Sequence, residues 1–143
     1  MATPLFDRVN AVLGRTGQEA GIPDLSLGED GMCHLTLSDG RRVGFALDEK
    51  RSQLWVFAGL FTFPEDKNDR AILYERMLTA NLLAVGSVGG LLAMDPVEDT
   101  ALFQLALGAD NLDTAGLTRA MTVVVSRAQS ITANLLNLQP ATP

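Results

Sequence analysis

One segment, residues 53–61, limits the possible folds most, because it reads as a β-strand that is apolar on both faces. Its two alternating sets of residues are Leu54, Val56, Ala58, Leu60 and Trp55, Phe57, Gly59, Phe61. Successive side chains of a strand point to opposite faces of its sheet. Neither face of this strand is therefore suited to water, and a second layer or a partner must cover the far side.

Two more strands are predicted before this one, at residues 32–38 and 41–48, which makes a three-strand antiparallel meander. The dipeptide Asp39-Gly40 between them is typical of a hairpin turn, and a charged turn leads into the third strand. Their apolar residues alternate regularly with smaller or polar ones. The apolar set is Cys33, Leu35, Leu37, Val43, Phe45 and Leu47. One face of the meander is therefore expected to be buried.

The central helix is predicted over residues 69–85, and it is apolar around more of its circumference than one packed face needs. One stripe contains Leu73, Met77, Ala80 and Ala84, and a second stripe beside it contains Tyr74, Leu78, Leu82 and Val85. We therefore expect this helix to be buried on two sides. A flexible Gly-rich connector at 86–90 separates it from a predicted hairpin of strands 91–94 and 101–107.

The first and last helices have recognisable starts. Thr3 followed by Pro4 predicts the beginning of the first, and Gly21 predicts its end. The last is expected to start near Asp110 or Asn111, either of which is a good N-cap. The chain thus reads as an α+β fold in the order helix, three strands, helix, two strands, helix. A single domain over residues 1–143, with a core of about 4–137, is expected from this length.

Charge and composition argue against several classes of function. The chain is acidic, with eleven basic and seventeen acidic residues and a net charge of −6, which disfavours binding to nucleic acid. It has neither a basic and apolar leader nor a long apolar run, so no membrane association is expected. The lone cysteine fits a reducing compartment. A cytoplasmic protein is the expectation.

The search for catalytic or metal-binding residues finds only weak candidates. Cys33 lies in an apolar set with no adjacent cation, and His34 is the only histidine. The connector at 86–90 leads into a strand, whereas phosphate-binding loops lead into a helix. The acidic positions 95, 98 and 99 are without the pattern of a calcium loop. We expect no enzymatic activity, no metal and no cofactor.

The central helix and the segment after it resemble the class I chaperones of bacterial type III secretion, the CesT or Tir chaperone family. The resemblance rests on residues 71–83, which read AILYERMLTANLL, and residues 89–96, which read GGLLAMDP. In that family a leucine-rich helix ending in Ala-Asn-Leu precedes a Gly-rich break and a strand ending in Asp. The element order and acidic composition agree with the family over about residues 4–137.

This resemblance implies a homodimer that binds the extended amino-terminal segment of a secreted effector, a virulence protein, and keeps it soluble and export-competent. Dimerisation through the central helix and the strand after it is implied at Leu73, Met77, Leu78, Leu82, Leu91 and Ala93. The effector is expected to add backbone to sheet edges and to place apolar side chains in grooves. Candidate anchors for it, each with a core position as its alternative, are Leu5, Phe6, Val9, Phe45, Trp55 and Phe57.

Two other classes of function remain open at this point. A regulatory interaction module, such as an anti-activator or co-regulator, would have the same architecture without an export client. A small-molecule sensor or enzyme would need a pocket between the first helix and the sheet, with polar groups buried together. The strand alternation offers no such group beyond His34 and Thr36.

Overall fold

A computed structural model describes residues 3–84 and 90–136 of the chain, in three helices and five strands. The elements in chain order are α1 (Pro4–Ala20), β1 (Met32–Thr36), β2 (Arg42–Asp48), β3 (Gln53–Thr62), α2 (Lys67–Ala84), β4 (Gly90–Asp95), β5 (Thr100–Gly108) and α3 (Thr114–Leu136). The predicted α+β class and element order are confirmed. The predicted connector at 86–90 and the tail at 139–143 lie outside the described residues, apart from Gly90, which begins β4.

The five strands form one antiparallel sheet in the order β1-β2-β3-β5-β4. Strand β3 lies in the middle, because it pairs with β2 on one side and with β5 on the other. The meander and the hairpin, which are separate units in the sequence, are joined by this pairing. The face of β3 that carries Leu54, Val56, Ala58 and Leu60 is buried, whereas Trp55 and Phe57 on the other face are only half-buried.

The helices cover only one face of the sheet, which we call the inner face. Helix α3 packs against β3 and β5, α1 packs against α3, and α2 packs against β4. The core between them includes Phe45, Val56, Leu13 and Leu117, all almost fully buried. The opposite, outer face carries Gly44, Phe57 and their neighbours, and none of the described helices lies on it.

The ends of α1 are formed as predicted, whereas the predicted start of α3 is wrong. The Thr3 hydroxyl accepts a hydrogen bond from the Phe6 N–H at 3.1 Å, and Gly21 follows the helix in a left-handed conformation. Helix α3 begins at Thr114, and Asp113 caps it by accepting the Gly116 N–H at 2.7 Å. Asp110 and Asn111 lie before this turn, because β5 extends to Gly108 and displaces the helix start.

Asn81 of α2 binds the edge of β4 that faces away from β5, through two hydrogen bonds to one residue. Its side-chain oxygen accepts the Leu92 N–H at 2.7 Å, and its Nδ2 donates to the Leu92 carbonyl at 3.0 Å. The amide thus replaces a neighbouring strand at this point. It satisfies backbone groups that would otherwise be left at a sheet edge and joins α2 to β4.

Replacing Asn81 by aspartate is expected to destabilise the fold by about 2 kcal/mol, since the donor to Leu92 is lost and a carboxylate faces a carbonyl oxygen. Urea unfolding followed by circular dichroism measures the change. Asn134→Asp is the matched control, because Asn134 is exposed on α3, and it should change stability by less than about 0.5 kcal/mol. Equal stability of the two variants would contradict this role of Asn81.

Candidate functional site

The outer face of the sheet forms a concave groove of about 940 Å³, which we call the outer groove. Trp55 and Phe57 of β3 lie on its floor, half-buried, beside Ala46 and Gly44 of β2. Register places these residues opposite one another, Ala46 with Trp55 and Gly44 with Phe57. The floor therefore presents aromatic surface that the described residues leave partly open.

The depth of the floor depends on Gly44. A Cβ atom at this position would lie 2.2 Å from the Phe57 ring atoms Cε2 and Cζ, far inside any van der Waals contact. The ring therefore lies directly over the Gly44 backbone, where only a glycine leaves room for it. This arrangement keeps the aromatic side chain flat against the sheet.

Two rims of opposite charge border the outer groove. The basic rim contains Arg41 and Arg42 at the turn between β1 and β2, and the acidic rim contains Asp95 and Glu98 at the turn between β4 and β5. Arg41 Nη1 donates to the Gly59 carbonyl, which attaches this side chain to β3. The groove thus has an apolar floor, with basic side chains on one side of it and acidic side chains on the other.

The turn that carries the acidic rim is clamped to α2 by Arg70. Its guanidinium donates to both carboxylate oxygens of Asp99 at 2.8 Å and to the Tyr74 hydroxyl at 2.7 Å, and it lies 5.3 Å from the centroid of the Phe63 ring. Hydrogen bonding from Arg70 holds the pKa of Asp99 below its usual value. These contacts fix the position of the β4–β5 turn relative to α2.

The free edge of the sheet is β1. The Leu47 N–H donates to the Gly31 carbonyl and the Leu37 N–H donates to the Arg41 carbonyl, so alternate β1 residues turn their backbone groups away from β2. These outward residues are Met32, His34 and Thr36. Gly28 and Asp30 bind the Met32 backbone, whereas within the described chain the outward groups of His34 and Thr36 have no partner. An added strand can pair there.

A second apolar surface lies where α2 meets β4, and we call it the α2 patch. Leu78 is 70% exposed, Leu82 is 74% exposed, and Leu91 of β4 is 45% exposed. Leu78 and Leu82 are one helical turn apart on the same face. Leu91 lies on the outer face of β4, opposite Gln104 of β5, on the strand that Asn81 of α2 holds. Three large apolar side chains of α2 and β4 are therefore exposed to water in a single copy.

The structure divides the residues implied as a dimer interface into two groups. Leu73 and Met77 are only 1% and 6% exposed and pack in the core of their own chain. Leu78, Leu82 and Leu91 form the α2 patch, and Ala93 lies half-buried on the outer face opposite Leu102. The surface available to a second copy is therefore centred on the second stripe of α2.

The candidate anchors for a client also fall into two groups. Val9 and Phe45 are fully buried in the core, and Leu5 and Phe6 are half-buried against it at the start of α1. Only Trp55 and Phe57 lie in the outer groove. Sequence reasoning missed Gly44 and Asn81, although a glycine inside a strand and an asparagine inside an apolar helix were visible signals.

The described residues offer little catalytic chemistry. Burial raises the pKa of the Cys33 thiol to about 11, which keeps it protonated and unreactive at neutral pH. No group of three or more metal-ligating side chains occurs in the described ranges, and none of the described helices is long and apolar enough to span a membrane. Thr16, the one buried polar residue in that part of the chain, donates to the Val12 carbonyl. The polar pocket that a small-molecule enzyme would need between α1 and the sheet is therefore not formed by the described residues.

Comparisons with known proteins agree with this arrangement. The model of the Tir chaperone protein (CesT) family matches residues 12–132. A chain of the ExsC-ExsE complex is 18% identical, with a TM-score of 0.81 over 96% of this chain and 100% of that one. A chain of the HopA1-SchA chaperone-effector complex is 13% identical, with a TM-score of 0.74 over 93% and 99%.

A third solved structure, the Yersinia pestis type III secretion chaperone SycH in complex with a fragment of YscM2, contains a chain that is 21% identical. Its TM-score is 0.60, over 85% of this chain and 97% of that one. At these identities the likenesses establish the fold. No curated protein sequence matches the chain.

Proposed function

The chain belongs to the Tir chaperone protein (CesT) family, and from this premise we propose that it is a dimeric chaperone of bacterial type III secretion. In this proposal it binds the amino-terminal segment of a secreted effector in the cytoplasm and keeps that segment extended, soluble and ready for export. One of the similar solved structures is described as a chaperone-effector complex, which supports this assignment.

The observation that carries the proposal is the α2 patch. Burying a leucine side chain contributes roughly 1.5–3 kcal/mol, so Leu78 and Leu82 are costly to leave in water on the surface of α2. A second copy that presents the same patch removes all of these side chains from solvent at once, as symmetric dimers do. Leu73 and Met77 on the opposite side of α2 pack in the core and so hold the helix in position for this interface.

Two further surfaces suit an extended client. The outer groove offers Trp55 and Phe57 as apolar contacts, and the β1 edge offers the backbone groups of His34 and Thr36. An extended chain loses conformational entropy when it is ordered, so several anchors along its length are needed. A groove beside an open strand edge supplies both side-chain and main-chain contacts.

Such a chaperone needs no catalytic group, because it acts by binding an extended chain in preference to its compact state. The family and the fold are those of non-enzymatic secretion chaperones. We accordingly propose that the protein is not an enzyme. A regulatory interaction module with the same surfaces is not favoured by any particular contact in the described residues.

Co-purification from the native host tests the proposal. The tagged wild-type chain is expected to recover an effector, and hydrogen exchange should show protection in the amino-terminal region of that effector only. The variant Phe57→Asp places a charge in the groove and should recover much less. Recovery of a transcription regulator in place of an effector would instead support the regulatory alternative, and an effector protected throughout its folded domains would contradict an extended client.

A further inference from the structure

We propose that the two charged rims of the outer groove select a client segment with acidic residues on one flank and basic residues on the other, and so set the direction in which the segment runs. This inference rests on the proposed function, since it concerns the same groove. It adds a charge pattern and an orientation to the client, neither of which an apolar floor can specify.

The rims differ in charge because of where the strands end. On the β1–β2 side the charged groove residues are Arg41, Arg42 and Asp39. The Nε atom of Arg41 lies 4.0 Å from Oδ2 of Asp39. On the β4–β5 side they are Asp95 and Glu98. The first side therefore has a net positive charge and the second a net negative charge, in a chain whose overall charge is −6.

The width of the groove separates the two rims by about one helix diameter. Strand β2 and strand β4 are three strand spacings apart in the order β2-β3-β5-β4, which is about 14 Å. A helix with its side chains is roughly 10–12 Å across. A stretch of the otherwise extended client that is locally helical can lie along β3 with its apolar stripe on Phe57 and Trp55. Arg42 and Thr100, the strand partner of Asp95, both lie beside Gly59, so the end of the helix at Gly59 presents one flank to Arg42 and the other to Asp95 and Glu98.

Such a segment has two ways to lie in the groove, related by turning it end for end. Turning it exchanges its flanks, so an acidic flank that faces Arg42 in one direction faces Glu98 in the other. Opposite charges attract and like charges repel at both rims, which favours one direction twice over. The rims therefore act on orientation more than on total affinity.

Two synthetic peptides of about 18 residues test the inference on the full chain. Both have the same apolar stripe and the same numbers of glutamate and lysine, but one segregates the two charges on opposite flanks and the other mixes them. The segregated peptide is expected to bind about fivefold more tightly at low salt, and the difference should shrink in high salt. Equal binding of the two, lost in both cases with Phe57→Asp, would overturn the inference and leave the proposed groove intact.

Direction is measured through Trp55, the only tryptophan, which lies toward the start of β3. A nitroxide at one end of the segregated peptide should quench Trp55 fluorescence strongly, and the same label at the other end should not. The double variant Arg42→Glu, Glu98→Lys keeps the net charge and makes the β1–β2 rim the more negative of the two, so it should exchange the two labels. Both side chains are exposed and make no hydrogen bond or ion pair with other described residues, so folding should be retained.

The remaining outcomes are also decisive. Equal quenching from both ends, or no exchange in the double variant, would overturn the inference about direction. Failure of both peptides to bind the wild-type chain would contradict the outer groove as a client site and the inference with it. A thermal unfolding midpoint equal to that of the wild-type chain confirms that a variant is folded in these comparisons.

Discussion

Replacing Leu78 by aspartate is expected to convert the proposed dimer into a folded monomer. Leu78 is 70% exposed in a single copy, so the carboxylate is solvated in the monomer and the fold of each chain is retained. In the dimer the same carboxylate would lie in an apolar interface without a partner, which costs several kcal/mol. The dissociation constant of the dimer should rise at least about 100-fold. Light scattering across a dilution series measures it.

Val123→Asp is the matched control for this experiment. Val123 is also an apolar residue on a helix surface, 40% exposed on α3, and it is not among the α3 residues that line a pocket with α2 and β4. It should leave the dimer unchanged. A wild-type chain that stays a well-folded monomer at high concentration, or a Leu78→Asp variant that dimerises normally, would show that the α2 patch is not the interface.

Replacing Gly44 by alanine is expected to weaken client binding more than about tenfold, although the new side chain is a single methyl group. The added Cβ would meet the Phe57 ring at 2.2 Å, so the ring must turn away from the sheet and into the outer groove. Displacement of the ring should also destabilise the fold by about 1–3 kcal/mol, as overpacking does. Binding of the segregated peptide and urea unfolding measure the two effects.

Gly108→Ala provides the control, because a Cβ at Gly108 near the end of β5 meets nothing within 4 Å. It should change neither binding nor stability appreciably. A second comparison tests the mechanism itself. If the clash with the ring causes the loss of stability, Gly44→Ala should cost much less in a Phe57→Leu background, and additive effects of the two changes would contradict the clash.

Local patterns were sufficient to predict the order of the helices and strands, although not the start of α3. Thr3, Pro4 and Gly21 mark both ends of α1, and strict alternation along β1 and β2 predicts which side is buried. These signals depend on neighbours in the chain. The pairing of β3 with β5 joins residues such as Val56 and Leu105, which are far apart in sequence, and no local pattern specifies it.

The candidate site was harder to predict for the same reason. Periodicity along α2 separates two apolar stripes, but only the positions of β4 and α3 determine that Leu73 faces the core and Leu78 faces solvent. Phe45 and Phe57 are both aromatic residues on predicted strands, and only the placement of the helices on the inner face makes one core and the other groove. The outer groove is bordered by two turns, β1–β2 and β4–β5, that are far apart in the sequence.

The uncovered outer face has a consequence for how strongly a long client is held. The proposed pairing is centred on α2 and the groove on Trp55 and Phe57, so each proposed pair would display two grooves. A client with two suitable stretches joined by a short flexible tether would experience an effective concentration of about a millimolar at the second groove once the first is occupied. Modest affinity at each groove then suffices for tight retention, and release follows quickly when a single stretch is pulled free.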